Sequence, residues 1–179
     1  MKDVKMPRCS VVPLIDKEQI AGFESSNDEL TAYLHEEALR DQSLLLATTH
    51  LLVDETGSTL GYLSLLTDSI KVKVIGDHPG ISGIEYASIP ALKIGRLTCR
   101  RGYEGKGLGT EMIRLALSYL FEIVKYSGCR IMTVDSKKGC EGFYELLGFK
   151  KTTINKHYFT PMYLDVIYFL DTSNYMRVL

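Results

Sequence analysis

The richest chemistry in this chain lies at Glu104-Gly105-Lys106-Gly107-Leu108-Gly109. Three glycines alternate there, directly after an apolar segment ending at Leu97-Thr98-Cys99 and directly before a helical pattern. Glycines leave a run of backbone N–H groups uncovered by side chains, and a helix N-terminus with bare amides attracts anions. Strand, glycine turn and helix together read as a pocket for phosphate. A dinucleotide fingerprint needs its third glycine one residue beyond Gly109. A Walker loop needs lysine and then Ser or Thr after its last glycine; Gly102 and Gly107 have the separation, but Leu108 follows. Two readings remain: a compact diphosphate cradle of another kind, and a flexible glycine turn with no ligand.

The elements that must position this turn follow from periodicity. Ser26-Asn27-Asp28-Glu29 reads as a capping box with Ser26 at the cap, and predicts a helix over about 28–42. Segments 43–54 and 59–74 read as two strands joined by a hairpin turn at Asp54-Glu55-Thr56-Gly57-Ser58. Segment 76–83, with three glycines and a proline, reads as a loop of the kind that carries specificity. Segment 90–99 is a third strand leading into the glycine turn. Segment 107–126 is a long helix, apolar over most of its circumference, that packs on the sheet. A short buried strand at 130–135, a short helix at 138–147, and closing strands at 149–154 and 162–170 complete the chain. The tally predicts one α/β (α+β) domain over 1–179: a mixed, mostly antiparallel sheet with helices on both faces, with 90–135 forming a right-handed crossover.

Composition narrows the classes. Hydrophobic residues are 45% of the 179, ordinary for a packed domain, and no apolar run approaches the ~18–20 residues that span a bilayer. The N-terminal stretch lacks the sustained apolar core of a secretory signal. The cysteines (9, 99, 129, 140) and histidines (35, 50, 78, 157) are scattered, so no metal site is expected, and reduced thiols in the cytoplasm are the default. A formal charge of −1 gives no general pull toward nucleic acid or membrane. Cys99 has a covalent-nucleophile reading against that of a small buried strand residue. Arg96, Arg100 and Arg101 read either as a phosphate-binding patch or as solvated charge. Glu85 and His78 are candidate bases at the edge of the loop, with ordinary surface residues as the alternative. Glu29, Glu36 and Glu37 form an acidic helix face, either solvated or one wall of a site for a cationic amine.

The order of elements and two motifs resemble the GNAT acetyltransferase superfamily. Its acyl-CoA signature (Gln or Arg, two residues, Gly, one residue, Gly or Ala) falls on Glu104, Gly107 and Gly109. The second motif, Gly142-Phe143-Tyr144-Glu145-Leu146-Leu147-Gly148-Phe149, resembles the family's Phe-Tyr…Gly-Phe segment. Phe23-Glu24-Ser25-Ser26-Asn27, Ala38-Leu39-Arg40-Asp41-Gln42, Ile94-Gly95-Arg96-Leu97 and Pro161-Met162 are similar to the GNAT toxins of bacterial toxin–antitoxin pairs, which acetylate the α-amine of aminoacyl-tRNA.

The resemblance implies acetyl-CoA as co-substrate and acetyl transfer to a primary amine of a small molecule or peptide, in a ternary complex. A charged tRNA or an antitoxin is a further partner it suggests, and dimers are common in the fold. The main-chain amides of Gly105, Lys106, Gly107, Leu108, Gly109 and Thr110 would hold the diphosphate. Leu97, Thr98 and Cys99 would flank pantetheine. Asp135 would lie along the CoA path, or cap the next helix. Tyr144 would protonate the departing thiolate. Glu104 stands where the family has Gln or Arg: its carboxylate would repel the diphosphate at short range, or point outward and leave the amides to bind. A non-catalytic acyl-CoA-binding module is the competing class that Glu104 favours.

Overall fold

The computed structural model describes residues 7–169. Seven strands form one sheet: β1 (Ser10–Pro13), β2 (Thr48–Val53), β3 (Thr59–Lys71), β4 (Ser88–Cys99), β5 (Ile131–Lys137), β6 (Lys150–Lys151) and β7 (Phe159–Asp165), in the order β1-β2-β3-β4-β5-β7-β6. The pairs β1–β2, β2–β3, β5–β7 and β6–β7 are antiparallel. The helices are α1 (Asp28–Ala32), α2 (Ala38–Ser43), α3 (Leu108–Ile123) and α4 (Glu141–Leu146). The sheet is thus mostly antiparallel and accompanied by helices, as the element order predicts. The chain divides into two compact units, Met1–Leu66 with Ile94–Ala116, and Thr67–Lys93 with Leu117–Leu179. The strands β3 and β4 and the helix α3 run through both.

In the first unit, α1 continues through a π-helical turn (Tyr33–Glu37) into α2. Its start departs from the expected capping box. Asn27, not Ser26, is the cap: its side chain accepts from the amides of Glu29 and Leu30, satisfying two of the four donors a helix start leaves open. The buried stripe Tyr33, Leu34 and Ala38 packs with Leu14, Phe23 and Tyr62. Phe23 meets Tyr62 edge-on at 5.7 Å, and Tyr33 stacks on it at 6.3 Å. The Tyr62 hydroxyl donates to the Leu30 carbonyl at 2.7 Å, so this helical run is pinned to β3 by both packing and a buried bond.

The second unit has its own core of Ile70, Ile75, Ile81, Ile89, Ile131 and Tyr163. The predicted loop is held onto that core rather than free. His78 is buried at 4% exposure. Its Nε2 lies 3.8 Å from Asp165, and its ring meets those of Tyr163 and Tyr168. Arg130 donates to the Asp165 carboxylate at 2.7 Å and to the Gly80 carbonyl at 2.7 Å, tying the loop down. Several strand boundaries moved. The segment at 43–54 is strand only over β2, and β5 extends to Lys137, so Asp135 lies inside it rather than at its end. The closing strands shorten to β6 and β7; Leu170, assigned to the last of them, lies outside the described residues, as do Met1–Met6 of the N-terminal stretch. No helix among the described residues is long and apolar enough to cross a membrane.

Candidate active site

The glycine turn is built from the C-terminal end of β4. β3 approaches it closely: a Cβ on Gly61 would sit 2.9 Å from the Thr98 carbonyl, so only glycine fits there. The Arg100 amide donates to the Leu60 carbonyl at 2.7 Å and closes this pairing. The chain then turns through Gly102, Gly105 and Gly107, all at positive φ (82°, 71° and 86°). Glycine adopts such left-handed backbone without strain, and left-handed positions of this kind recur in anion-binding turns. Leu108 opens α3 and is buried, so the helix start is anchored by its own first side chain. Within the described residues, the amides of Gly105, Lys106, Gly107 and Leu108 meet no protein acceptor. The unit therefore brings Leu97, Thr98, Cys99 and residues 104 to 110 together around one amide-lined turn.

Glu104 answers the question its position raised. Its carboxylate accepts from Ser26 Oγ at 2.6 Å and from the Gly102 amide at 2.7 Å. The Ser26 bond, followed by the pull of backbone amides, holds its pKa below the ordinary carboxylate value. The charge is spent on the loop's own donors, and the side chain ties the turn to the start of α1. Ser26 is a site residue that the sequence reading placed elsewhere, as a helix cap; Asn27, equally able to cap, left it available. Lys106 folds back with its Nζ 4.3 Å from the centre of the Tyr103 ring.

Cys99 is half-buried, and burial followed by the Glu104 charge pushes its thiol up to about 11, against a smaller opposing pull from the Gly109 amide. A thiol in that state is not an activated nucleophile. Each of the three arginines makes a contact within the protein. Arg96 lies 4.7 Å over the Tyr33 ring. Arg100 donates to the Gly22 carbonyl at 2.7 Å, and Arg101 to the Ser25 carbonyl at 3.2 Å. Glu29, Glu36 and Glu37 are exposed on the first helical run.

Tyr144 and Asp135 belong to the second unit. Tyr144 sits in α4, with its ring edge-on to Phe143 at 4.9 Å and to Phe149 at 5.5 Å. Gly148 at φ 90° ends the helix and lets the Phe149 amide return to the Tyr144 carbonyl at 3.0 Å. The ring is thus fixed by both neighbours in the motif. The side chain is only 8% exposed, yet its hydroxyl has no hydrogen-bond partner among the described residues and is not sealed from solvent. Burial, with a smaller contribution from Cys140, pushes its pKa up to about 12. Asp135 is bound to Lys93 at 2.6 Å and does not cap α4, whose N-cap is Cys140. Of the two candidate bases, His78 is buried in the core rather than a surface residue, and Glu85 is exposed.

Residues 12–149 match the family described as Acetyltransferase (GNAT) family. The chain belongs to this family. Like the family, this GNAT acetyltransferase uses acetyl-CoA as donor. Its fold is shared with solved structures at low identity. AtaT complexed with acetyl-methionyl-tRNAfMet is 18% identical with a TM-score of 0.81, covering 90% of this chain and 97% of that one. A Tyr-to-Phe variant of KacT is 18% identical with a TM-score of 0.79, covering 96% and 99%. A bacterial toxin is 16% identical with a TM-score of 0.82, covering 94% and 96%. Among the described residues no cluster of His, Cys, Asp or Glu could hold a metal ion.

Proposed function

We propose that this GNAT acetyltransferase carries out direct transfer, with the amides from Gly105 to Thr110 on the CoA diphosphate and Tyr144 as general acid. Leu97, Thr98 and Cys99 flank pantetheine. The amine nitrogen attacks the thioester carbonyl, the C–S bond breaks, and the phenol of Tyr144 gives its proton to the departing thiolate. The observation that carries this is the state of Tyr144: a ring locked by two phenylalanines, with a hydroxyl that meets no hydrogen-bond partner among the described residues. Most buried tyrosines satisfy their hydroxyl. This one is held neutral and available, which suits a donor. The Glu104 contacts remove the main objection to diphosphate binding, since its charge is already engaged with Ser26 and Gly102. Asp135 is tied to Lys93, which supports a role in shaping the sheet rather than in contacting CoA.

The acceptor we favour is the α-amine of an aminoacyl-tRNA, with an antitoxin as protein partner. AtaT has been solved with an acetylated tRNA, and also with the antitoxin AtaR and acetyl-CoA. An α-amine has a pKa of about 7.7–8.0 and is partly neutral without help, whereas a lysine near 10.4 needs a base. His78 is buried, which fits an acceptor that needs none. A small cationic amine is the second reading, supported by the exposed acidic face of Glu29, Glu36 and Glu37. A thiol-release screen with acetyl-CoA against charged tRNA, peptides and small amines tests both. CoA release with charged tRNA alone supports the first; release with small amines alone transfers the assignment to the second; release with none refutes catalysis.

A further inference from the structure

We propose that Glu141 is a positioning residue for acetyl transfer: its carboxylate fixes α4 on the sheet and so sets where the Tyr144 phenol stands. The inference rests on the reading above of Tyr144 as general acid, and every residue it uses belongs to the second unit. The helix α4 has six residues, and helices shorter than about 12–15 residues have little stability of their own. Its N-cap, Cys140, makes no side-chain capping bond. Glu141 holds the helix start instead. One of its carboxylate oxygens accepts from the Thr160 hydroxyl at 2.7 Å, and the other from the Gly139 amide at 2.7 Å. Thr160 is buried in β7, opposite Ser136 of β5. Gly139, at φ 90°, turns the chain out of β5. One side chain therefore joins the first turn of α4 to a buried strand position and to the turn that leads into the helix.

The Thr160 bond, followed by backbone amides, holds the Glu141 carboxyl below its ordinary pKa, so both bonds are charge-assisted at neutral pH. Tyr144 stands three residues on, and residues at that spacing share a helix face. A shift of the helix at Glu141 is therefore passed directly to Tyr144. The far end of α4 is closed separately, by the Phe149 amide on the Tyr144 carbonyl at 3.0 Å and by Lys151 on Glu145 at 3.0 Å. Phe143 and Phe149 fix the ring within its own motif, whereas Glu141 fixes the start of that motif against the sheet. The glycine turn is built by the same device: Glu104 accepts from the amide of Gly102, two residues back, and from the hydroxyl of the distant Ser26.

The test uses the full-length protein, first without acetyl-CoA and then with it. Ring resonances are recorded on tyrosine-labelled protein, where the Tyr144 signal is the one missing from Tyr144→Phe. That signal should move in Glu141→Ala and in Thr160→Val, which keeps the shape of threonine and removes the hydroxyl. It should hold its place in Thr160→Ser, which keeps the donor. Thiol release with the acceptor found by the screen above should show kcat down about 10- to 100-fold in Glu141→Ala and Thr160→Val, the scale of a small misplacement of a reacting group. The KM for acetyl-CoA should stay within about twofold, and Thr160→Ser should recover most of kcat. In a Tyr144→Phe background the same two substitutions should cost no more than about twofold, because no acid remains to be placed. Should Glu141→Ala melt below the assay temperature, Thr160→Val, with Glu141 intact, carries the same comparison. An unmoved Tyr144 signal, an unchanged kcat, or the same loss in the Tyr144→Phe background overturns the proposal. Tyr144→Phe alone separates the two readings. An unchanged kcat there removes the acid role and the positioning role with it, whereas a large fall there beside an unchanged kcat in Glu141→Ala and Thr160→Val refutes the positioning role alone.

Discussion

Replacing Tyr144 by phenylalanine separates chemistry from packing. The phenol is neutral and has no hydrogen-bond partner among the described residues, while its ring is fixed edge-on by Phe143 and Phe149. Phenylalanine keeps those ring contacts and removes only the hydroxyl. As general acid, that hydroxyl supplies about 10²–10⁴ in rate, which is roughly 2.7–5.4 kcal/mol of transition-state stabilisation at 1.36 kcal/mol per tenfold. Folding stability should move the other way or not at all. An unpaired hydroxyl in an apolar site costs about 1–3 kcal/mol; here it reaches solvent, so its removal should stabilise by no more than about 1 kcal/mol, a rise in Tm of at most about 2–4 °C for a chain of this size. The assays are steady-state thiol release at saturating acceptor, giving kcat and the KM for acetyl-CoA, and a thermal melt of each protein. The expected pattern is a large fall in kcat, a KM for acetyl-CoA unchanged within about twofold, and an equal or higher Tm. An unchanged kcat refutes the acid role. A fall in kcat accompanied by a clear fall in Tm makes Tyr144 a packing residue instead.

The remaining expectations are narrower. Because the folded pKa of Tyr144 is raised to about 12, its neutral form is favoured by folding; this stability is complete below the ordinary phenol value of about 10 and fades as pH climbs toward 12. The pH profile of kcat/KM should therefore rise through the acceptor amine near pH ~8 and stay level to about 10; a descending limb near 9 would assign the acid to another group. Glu104→Gln should weaken CoA binding by calorimetry about three- to tenfold, because it loosens the bonds to Ser26 and Gly102, each charge-assisted and worth about 1 kcal/mol at an exposed site. Tighter binding would mean that the carboxylate repels the diphosphate after all. Cys99→Ala should keep kcat within about threefold, since a thiol pushed up to about 11 is no nucleophile; trapping of an acetylated Cys99 by mass spectrometry would contradict this. His78→Gln should lower stability by about 1–3 kcal/mol in urea titration while leaving kcat unchanged, as befits a buried residue beside Asp165.

Legibility in the sequence followed period and punctuation. The helix α3 and strand β4 were readable because a long apolar period and a run of glycines leave few alternatives. Strand β1 was not, since Ser10–Pro13 is four residues long, ends on proline and pairs only with β2. The helical cap went to the wrong residue because Ser26 and Asn27 are equally good caps, and only the long-range bond from Ser26 to Glu104 decides between them. Sequence separation hides such a bond, which joins residues 78 positions apart. The same holds for His78, whose neighbours in the chain read as an open loop while its partner Asp165 comes from distant β7. The charge of Arg100 and Arg101 is visible in the sequence, whereas the carbonyls of Gly22 and Ser25 that they bind are not. Asp135 was placed at a strand end, where an acidic residue so often caps a helix; the strand runs two residues further and pairs Lys137 with Phe159.

The central claim is that bare main-chain amides in the glycine turn grip the diphosphate of acetyl-CoA. A titration of isotope-labelled protein with CoA, followed through backbone amide resonances, tests it most directly. The largest, saturable shifts are expected at Gly105, Lys106, Gly107 and Leu108. Saturable binding that leaves those four resonances still would contradict it.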